Sequence, residues 1–338
     1  MSSIAKPVES NQFPITQSTH RVHPMAEIRR DNLGFPIPAS FDPTPVEKNV
    51  QRANVRPKQP GSTKRFIVLL IMTLVVVPAV LAPTIIPKIR LVVVRWSVNH
   101  AKTCEARNDL EGAIAGLDRA IAWQDRQRAN FNLPRLLSMR AMLRLENRDK
   151  TGALEDANEA IAQNPQAIEA YRVRAMVRVC LDDPEGALKD AERVLELSPE
   201  SDLEALNHRA YIRALVQREL PEALKDVDRA IALQGDPSAE ILDTRGYILH
   251  LLGKHQEAID EMNFAIDTMQ QFRRQNLLLA KQMNPIELAR RLRSIDHGLA
   301  VMLHHRALAC KAAGFVSQAE QDFEIARQKG FDPSRGIF

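Results

Sequence analysis

An alanine followed seven positions later by a second small or branched residue recurs six times, and no other feature of the sequence restricts the fold as much. The pairs are Ala113/Ala120, Ala153/Ala160, Ala187/Val194, Ala223/Ala230, Ala258/Ala265 and Ala319/Ala326. Seven positions are about two helical turns, so each pair marks one face of a helix. Twelve positions before the leading alanine stands another small residue, Ala101, Ala141, Ala175, Gly246 or Ala307, with Ala210 thirteen before Ala223. Small residues at both places let two helices approach closely where they cross, so the unit is a helical hairpin. The leading alanines recur at a nearly constant interval from Ala113 to Ala258, and only the last interval, from Ala258 to Ala319, is much longer. Such a period belongs to stacked arrays, in which each hairpin buries its apolar face only against its neighbours. The expected fold is all-α, a helix-turn-helix repeat solenoid of about six hairpins. With 5% aromatic residues and 13 glycines in the whole chain, a sandwich or barrel is disfavoured.

An arginine directly precedes the small residue of the first helix (Arg140, Arg174, Arg209, Arg245, Arg306), and an acid follows the leading alanine of the second by three (Asp156, Asp190, Asp226, Glu261, Asp322). The first unit has His100 and Gly116 instead. Both groups fall where the two helices of a hairpin meet, which predicts partly buried ion pairs within each repeat, structural and not catalytic. A period near 34, with helix, turn, helix and small residues at fixed offsets, resembles the tetratricopeptide repeat family over residues 94 to 333. The stretches RAMLRLENRDKTGALEDANEAIAQNP (140 to 165) and GYILHLLGKHQEAIDEMNFAI (246 to 266) are similar to the family pattern, in which a turn glycine such as Gly253 or Gly314 separates the helices. Pro165 and Pro199 close the second and third units. The chain departs from the pattern in three ways: the large aromatic early in the first helix survives only as Tyr171, the first unit lacks its closing proline, and the unit boundaries drift by one or two residues.

The resemblance implies a curved stack whose first helices line a concave surface that receives extended peptides or partner helices. Aligning the units puts Ser138, Met142 and Leu145 on that surface, then Arg172, Met176 and Val179, then Asn207 and Tyr211, then Asp243, Tyr247 and His250. The stripe Met142, Met176, Tyr211, Tyr247 is adaptable and partly aromatic, which suits binding. The other expectation is that it packs on the chain's own extended C-terminal helices. Family members that dock the acidic carboxy terminus of heat-shock chaperones use Lys, Arg and Asn at these places. This chain has Met and Tyr there, so that activity is not implied.

The long last interval leaves a stretch beyond one repeat, and RRQNLLLAKQMNPIELARRLRSIDHGLA (273 to 300) keeps a helical period on both sides of Asn284 and Pro285. The sequence predicts a hairpin extension at 273–300, turning at Asn284 and restarting at Pro285, a residue suited to a helix start. Its arms would reach about 20 Å beyond the stack, zipped by Leu277, Leu278, Met283, Leu288, Leu292 and Ile295. Arg273, Arg274, Lys281, Arg290, Arg291 and Arg293 outnumber Glu287 and Asp296, so the arm is a basic surface for an acidic partner or lipid headgroups, or simply a solvated face.

From Phe66 to Pro87 the chain reads FIVLLIMTLVVVPAVLAPTIIP, without a single charge, framed by Lys64 and Arg65 before and Lys88 and Arg90 after. At about 1.5 Å per helical position this run covers the roughly 30 Å hydrocarbon core, and membrane helices tolerate proline, so 66–87 is expected to be a single transmembrane helix kinked at Pro78 or Pro83. A cleaved leader is disfavoured by the long segment 1–65 that precedes it. That segment holds nine prolines and ten Lys or Arg against five acids and is expected to be a disordered basic tail, a solvated linker or a binder of anionic lipid. Cations flank the span almost equally, Arg52, Arg56, Lys58, Lys64 and Arg65 on one side and Lys88, Arg90, Arg95 and Lys102 on the other. The expected localisation is a single-pass membrane protein with the tail in the cytoplasm and the repeats of 88–338 on the opposite side, the span being the first topogenic signal.

No phosphate-cradling glycine loop, nucleophile elbow or HExxH occurs, and Cys104, Cys180 and Cys310 lie too far apart in sequence for a zinc motif. His297, His304 and His305 alone do not make a metal site. No catalytic residue, metal, cofactor, small-molecule substrate or nucleic-acid partner is expected. The expected function is a membrane-anchored protein–protein interaction scaffold that binds a peptide or helix of an unidentified protein partner. The alternative is a structural or self-associating subunit of a larger membrane complex, with its groove filled internally.

Overall fold

The computed structural model describes residues 67, 70–72, 77–124, 132–235 and 237–332. The tail expected at 1–65 lies outside them, as does part of the expected span. Every helix below belongs to the second of two compact units, residues 68–338.

Six antiparallel hairpins follow one another. They are α1 (Val77–Ala106) with α2 (Leu110–Ala122), α3 (Asn132–Glu146) with α4 (Lys150–Gln163), α5 (Ile168–Cys180) with α6 (Pro184–Leu197), α7 (Leu203–Leu215) with α8 (Leu220–Gln234), α9 (Ala239–Leu251) with α10 (His255–Leu278), and α11 (Pro285–Ala312) with α12 (Val316–Gln328). Each first helix packs on its own second helix, and from α3 onward on the first helix of the next hairpin. The result is an all-helical solenoid among the described residues. The repeated alanines make the crossings: Ala113, Ala153, Ala187, Ala223 and Ala258 have no exposed surface. No single core exists. Apolar clusters overlap from one hairpin to the next, as where Ile212 of hairpin four joins Leu145, Val173 and Val177 of hairpins two and three.

Local chemistry explains where the helices start and turn. Asp109, Asp149 and Asp183 cap α2, α4 and α6 by accepting from the backbone N–H of Gly112, Gly152 and Gly186 at 2.9 Å. A Cβ at Gly152 would collide with the Asp149 carboxylate, which ties the glycine to its cap. Within every hairpin the turn passes through a left-handed residue: Asn108, Arg148, Asp182, Gln217, Gly253 and Gly314, with φ between 52° and 88°. Only the last two are glycine, for which that region is free of strain.

Two expectations need correction. The expected span does not end as a helix at Pro87, because α1 runs without a break from Val77 to Ala106, so the described end of the uncharged stretch and the first repeat share one helix. No helix among the described residues is long and apolar enough to cross a membrane; of 66–87, residues 66, 68–69 and 73–76 are not described. The second correction concerns 273–300. The hairpin forms, with α10 ending at Leu278, a 3-10 turn at Ala280–Gln282 and Asn284 capping α11 through the N–H groups of Ile286 and Glu287. It does not stand free of the stack, because α11 lies against α1. Nor do all of the residues expected to zip the arms turn inward: Ile295 is buried and Met283, Leu288 and Leu292 are half-buried, but Leu277 and Leu278 face outward.

Replacing Gln217, whose side chain is exposed, by Gly should relieve the left-handed backbone by about 1 kcal/mol. The Gln217→Gly variant is expected to unfold a few degrees higher than the parent by circular dichroism, and an unchanged or lower midpoint would show that the turn is unstrained.

Candidate functional site

The arginines of the first helices tie the two helices of each hairpin together. Arg140 donates from Nε and Nη2 to both carboxylate oxygens of Asp156 at 2.8 and 2.5 Å. The same fork joins Arg174 to Asp190 at 2.9 and 2.7 Å, Arg209 to Asp226 at 2.8 and 2.6 Å, and Arg306 to Asp322 at 2.8 and 2.7 Å. Arg245 pairs with Glu261 through Nη1. Asp156, Asp190 and Asp322 have side chains no more than 3% exposed. Asp156, Asp190 and Asp226 take a second arginine one turn on, Arg144, Arg178 or Arg213, at 3.0, 2.8 and 2.6 Å. In the first hairpin Gly116 stands where the acid would be, and its helices are too close for one: a Cβ at Gly116 would lie 3.0 Å from the Ala101 backbone nitrogen.

Each fork also reaches into the preceding hairpin, which the sequence reading missed. Arg140 bonds Asp118 at 2.7 Å, Arg174 bonds Asn158 at 2.9 Å, Arg209 bonds Glu192 at 2.8 Å, Arg245 bonds Asp228 at 2.8 Å and Arg306 bonds Asn263 at 2.7 Å. These partners sit two positions after Gly116, Asp156, Asp190, Asp226 and Glu261, so a polar residue at that offset was a legible signal.

On the concave face the residues expected in the groove fall into two sets. Over hairpins one to three the face is open and forms a cleft of about 670 Å³. Met142 lines it together with Lys102, Glu105, Arg135, Glu146 and Glu169, and Arg290 of α11 forms its far wall. Ser138 also borders it, although its hydroxyl turns inward to donate to the Pro134 carbonyl at 2.9 Å. Arg172 is half-buried and bonds Glu204 at 3.2 Å, and Val179 packs beside the hairpin-three core. Leu145 and Met176 are not groove residues, a correction to the alignment. Both are buried, packed in the apolar cluster that hairpins two to four share.

Over hairpins four to six the face is closed by the protein itself. His305 of α11 has no exposed side chain; its Nδ1 lies 2.9 Å from Asp243 Oδ2, and its ring stacks on Tyr247 at 4.1 Å. Tyr211 meets the same ring edge-on at 6.1 Å. Asp243 and Tyr247 are therefore buried. His250 stacks against Tyr247 and faces His255, with 3.1 Å between their Nδ1 atoms. Asn207 has a buried Oδ1 with no hydrogen-bond partner.

The basic hairpin divides likewise. Arg273 donates to Asp296 at 3.0 Å. Arg290 donates to Glu105 at 3.0 Å, and Arg293 bonds the Glu105 carbonyl and, at 2.9 Å, Glu146. Arg148 pairs with Asp332 at 2.6 Å. The C-terminal end is thus tied to the first two hairpins. Arg274, Lys281 and Arg291 remain exposed, so the basic surface is smaller than the charge count suggested. Among the described residues no group of three or more His, Cys, Asp or Glu could hold a metal.

Burial lowers the pKa of His208 to about 3, with Arg172 adding to the shift, and that of His304 to about 4, with His305 adding to it. His208 Nε2 is enclosed without a partner.

No protein-family model matches the sequence, and no curated protein does. Among solved structures, the chain is similar to a tetratricopeptide repeat protein from Parabacteroides merdae, at 18% identity over 71% of this chain and 94% of that one, with a TM-score of 0.43. It is also similar to TTC0263, a thermophilic TPR protein in Thermus thermophilus, at 19% identity over 61% and 98%, with a TM-score of 0.44. A third, YrrB, is a TPR protein with an unusual peptide-binding site, at 20% identity over 51% and 84%, with a TM-score of 0.36.

Two outcomes follow from the forks and the histidines. Asp190→Ala leaves Arg174 and Arg178 half-buried beside a missing charge and should cost about 3–5 kcal/mol, whereas Glu192→Ala, at the exposed end of a fork, should cost under about 1 kcal/mol; urea denaturation compares them. His208 and His304 bind protons more weakly folded than unfolded. Their stability contribution is therefore intact above pH ~6.5 and is lost as pH falls toward ~4, by up to about 1.4 kcal/mol per pH unit for each. His208→Gln should flatten the fall in urea midpoint between pH 7 and pH 5; an unchanged slope would remove His208 from the account.

Proposed function

We propose that this protein is a membrane-anchored interaction scaffold that receives a peptide or helix of a protein partner in the open half of its concave face. The observation that carries this reading is the cleft of about 670 Å³ over hairpins one to three, which remains open while the C-terminal half of the same face is packed. Its walls mix an adaptable thioether, Met142, with charges of both signs, Lys102 and Arg135 against Glu169. Such a surface suits a segment that brings side chains of its own rather than a small apolar ligand. The anchor is supported by the uncharged run from Phe66 to Pro87 and by its helical continuity from Val77 into hairpin one. A tail on the cytoplasmic side and repeats on the other complete the proposal.

A second reading rests on a specific feature. Arg290 and Arg293 bridge the mouth of the groove, and a groove closed by its own chain fits a fixed structural subunit of a membrane complex.

Pull-down from detergent-solubilised membranes separates the two. Met142→Glu with Arg135→Glu alters the cleft without touching the half-buried Tyr211 or the buried Tyr247, and circular dichroism checks the fold. Loss of a partner that the parent retains is expected. Retention of every partner by the variant, with its assembly size unchanged, would reject the cleft as the binding surface and favour the structural subunit.

A further inference from the structure

We infer that the tip of the α10–α11 hairpin docks on the headgroup layer of an anionic bilayer, making a second membrane contact beside the anchor. The inference rests on the membrane reading above. Leu277, Leu278, Leu279 and Ile286 surround the turn and are all exposed, Leu278 by 82%. A soluble surface seldom gathers four large aliphatic side chains at one turn without a partner for them. The charges around them are mostly positive. Between Thr268 and Ser294 stand six cations, Arg273, Arg274, Lys281, Arg290, Arg291 and Arg293, and one acid, Glu287. That acid is already bonded to Arg290 and Arg291. Arg274 and Lys281, the cations flanking the leucines, are exposed. Aliphatic tips ringed by Lys and Arg match the boundary between acyl chains and anionic headgroups, where apolar burial and charge attraction act together.

Placement supports the same occupant. The N-terminal arm of α11 lies against α1, the helix that continues from the uncharged segment. Arg290 borders the cleft beside Lys102, and Arg293 reaches the Glu105 carbonyl in the last turn of α1. From Trp96 toward the uncharged segment α1 exposes Val92, Leu91, Ile89, Ile86 and Ile85. Trp96 itself is exposed, with Arg119 over its ring at 5.4 Å, an amphipathic pairing suited to the interface.

The test uses the full chain reconstituted in vesicles that contain brominated lipid, with either anionic or zwitterionic headgroups. An environment-sensitive fluorophore is attached to Leu278→Cys or, separately, to Ile71→Cys, in a Cys180→Ser background in which Cys104 and Cys310 stay buried. Quenching at position 278 in anionic vesicles, weakened by Arg274→Glu with Lys281→Glu and by zwitterionic lipid, is the expected result. Quenching at 71 with none at 278 would overturn the tip contact and leave the anchor standing. Quenching at neither position would overturn both. A label at 278 that becomes shielded without vesicles as protein concentration rises would replace the bilayer by a second copy of this chain.

Discussion

The fork made by one arginine with a buried carboxylate holds this solenoid in shape. A stack of hairpins has no global core, and its form is the sum of contacts between neighbours. Alanine crossings let helices come close, but alanine is a poor determinant of angle, since it presents a smooth contact. The guanidinium supplies direction. It is planar, with donors in fixed positions, and in Arg140, Arg174, Arg209 and Arg306 two of those donors take both oxygens of a carboxylate in the same hairpin while a third reaches the hairpin before. One side chain thus fixes the tilt within a unit and the rotation between units. The carboxylates are nearly inaccessible, so a unit that rotated out of register would strand a charge rather than exchange it for water.

The same physical logic explains which parts of the structure the sequence made legible. The hairpins and the fork within each hairpin were readable because both ends lie at a nearly fixed offset in one short segment, as from Arg140 to Asp156 or from Arg209 to Asp226. The link to the preceding hairpin obeys an equally regular offset at Asp118, Asn158, Glu192, Asp228 and Asn263, but Asp, Asn and Glu on an outer helix face look like ordinary solvated residues until the neighbour is in place. Packing between units was not legible. Leu145 and Met176 occupy aligned positions equivalent to groove residues, yet the apolar cluster shared by hairpins two to four buries them, and their own repeats do not mark that contact. The contact between Arg290 and Glu105, far apart in the chain, depends on accumulated rotation over the stack, so the direction of the C-terminal arm could not be read from its own periodicity.

Closure of the groove uses two different kinds of contact. Around His305 the packing is aromatic and enclosed, with Tyr247 and Tyr211 against the ring and Asp243 on its nitrogen; separating these groups would expose apolar area and a buried polar pair together. Across the cleft the contacts are ion pairs with half-exposed partners, Arg290 with Glu105, Arg293 with Glu146 and Arg148 with Asp332. Each of those is worth little in water. The aromatic end is therefore fixed and the polar end is the weaker one.

Both ends belong to one helix. α11 runs unbroken from Pro285 to Ala312, with the first helix of hairpin six at one end and the wall of the cleft at the other. A continuous helix transmits tilt along its length, so the arm cannot leave α1 by bending at a loop; it leaves only as hairpin six rotates against hairpin five or as α11 itself flexes. The forks resist the first movement through Arg306, which is held by Asp322 and Asn263 at once. The width of the cleft over hairpins one to three is thus set from the far end of the chain. Under the proposed function, a ligand entering it would compete with a few water-screened ion pairs locally while the stacking of the last two hairpins limits how far the wall can move, and a slender segment laid along the first helices would fit better than a bulky domain pushed between them.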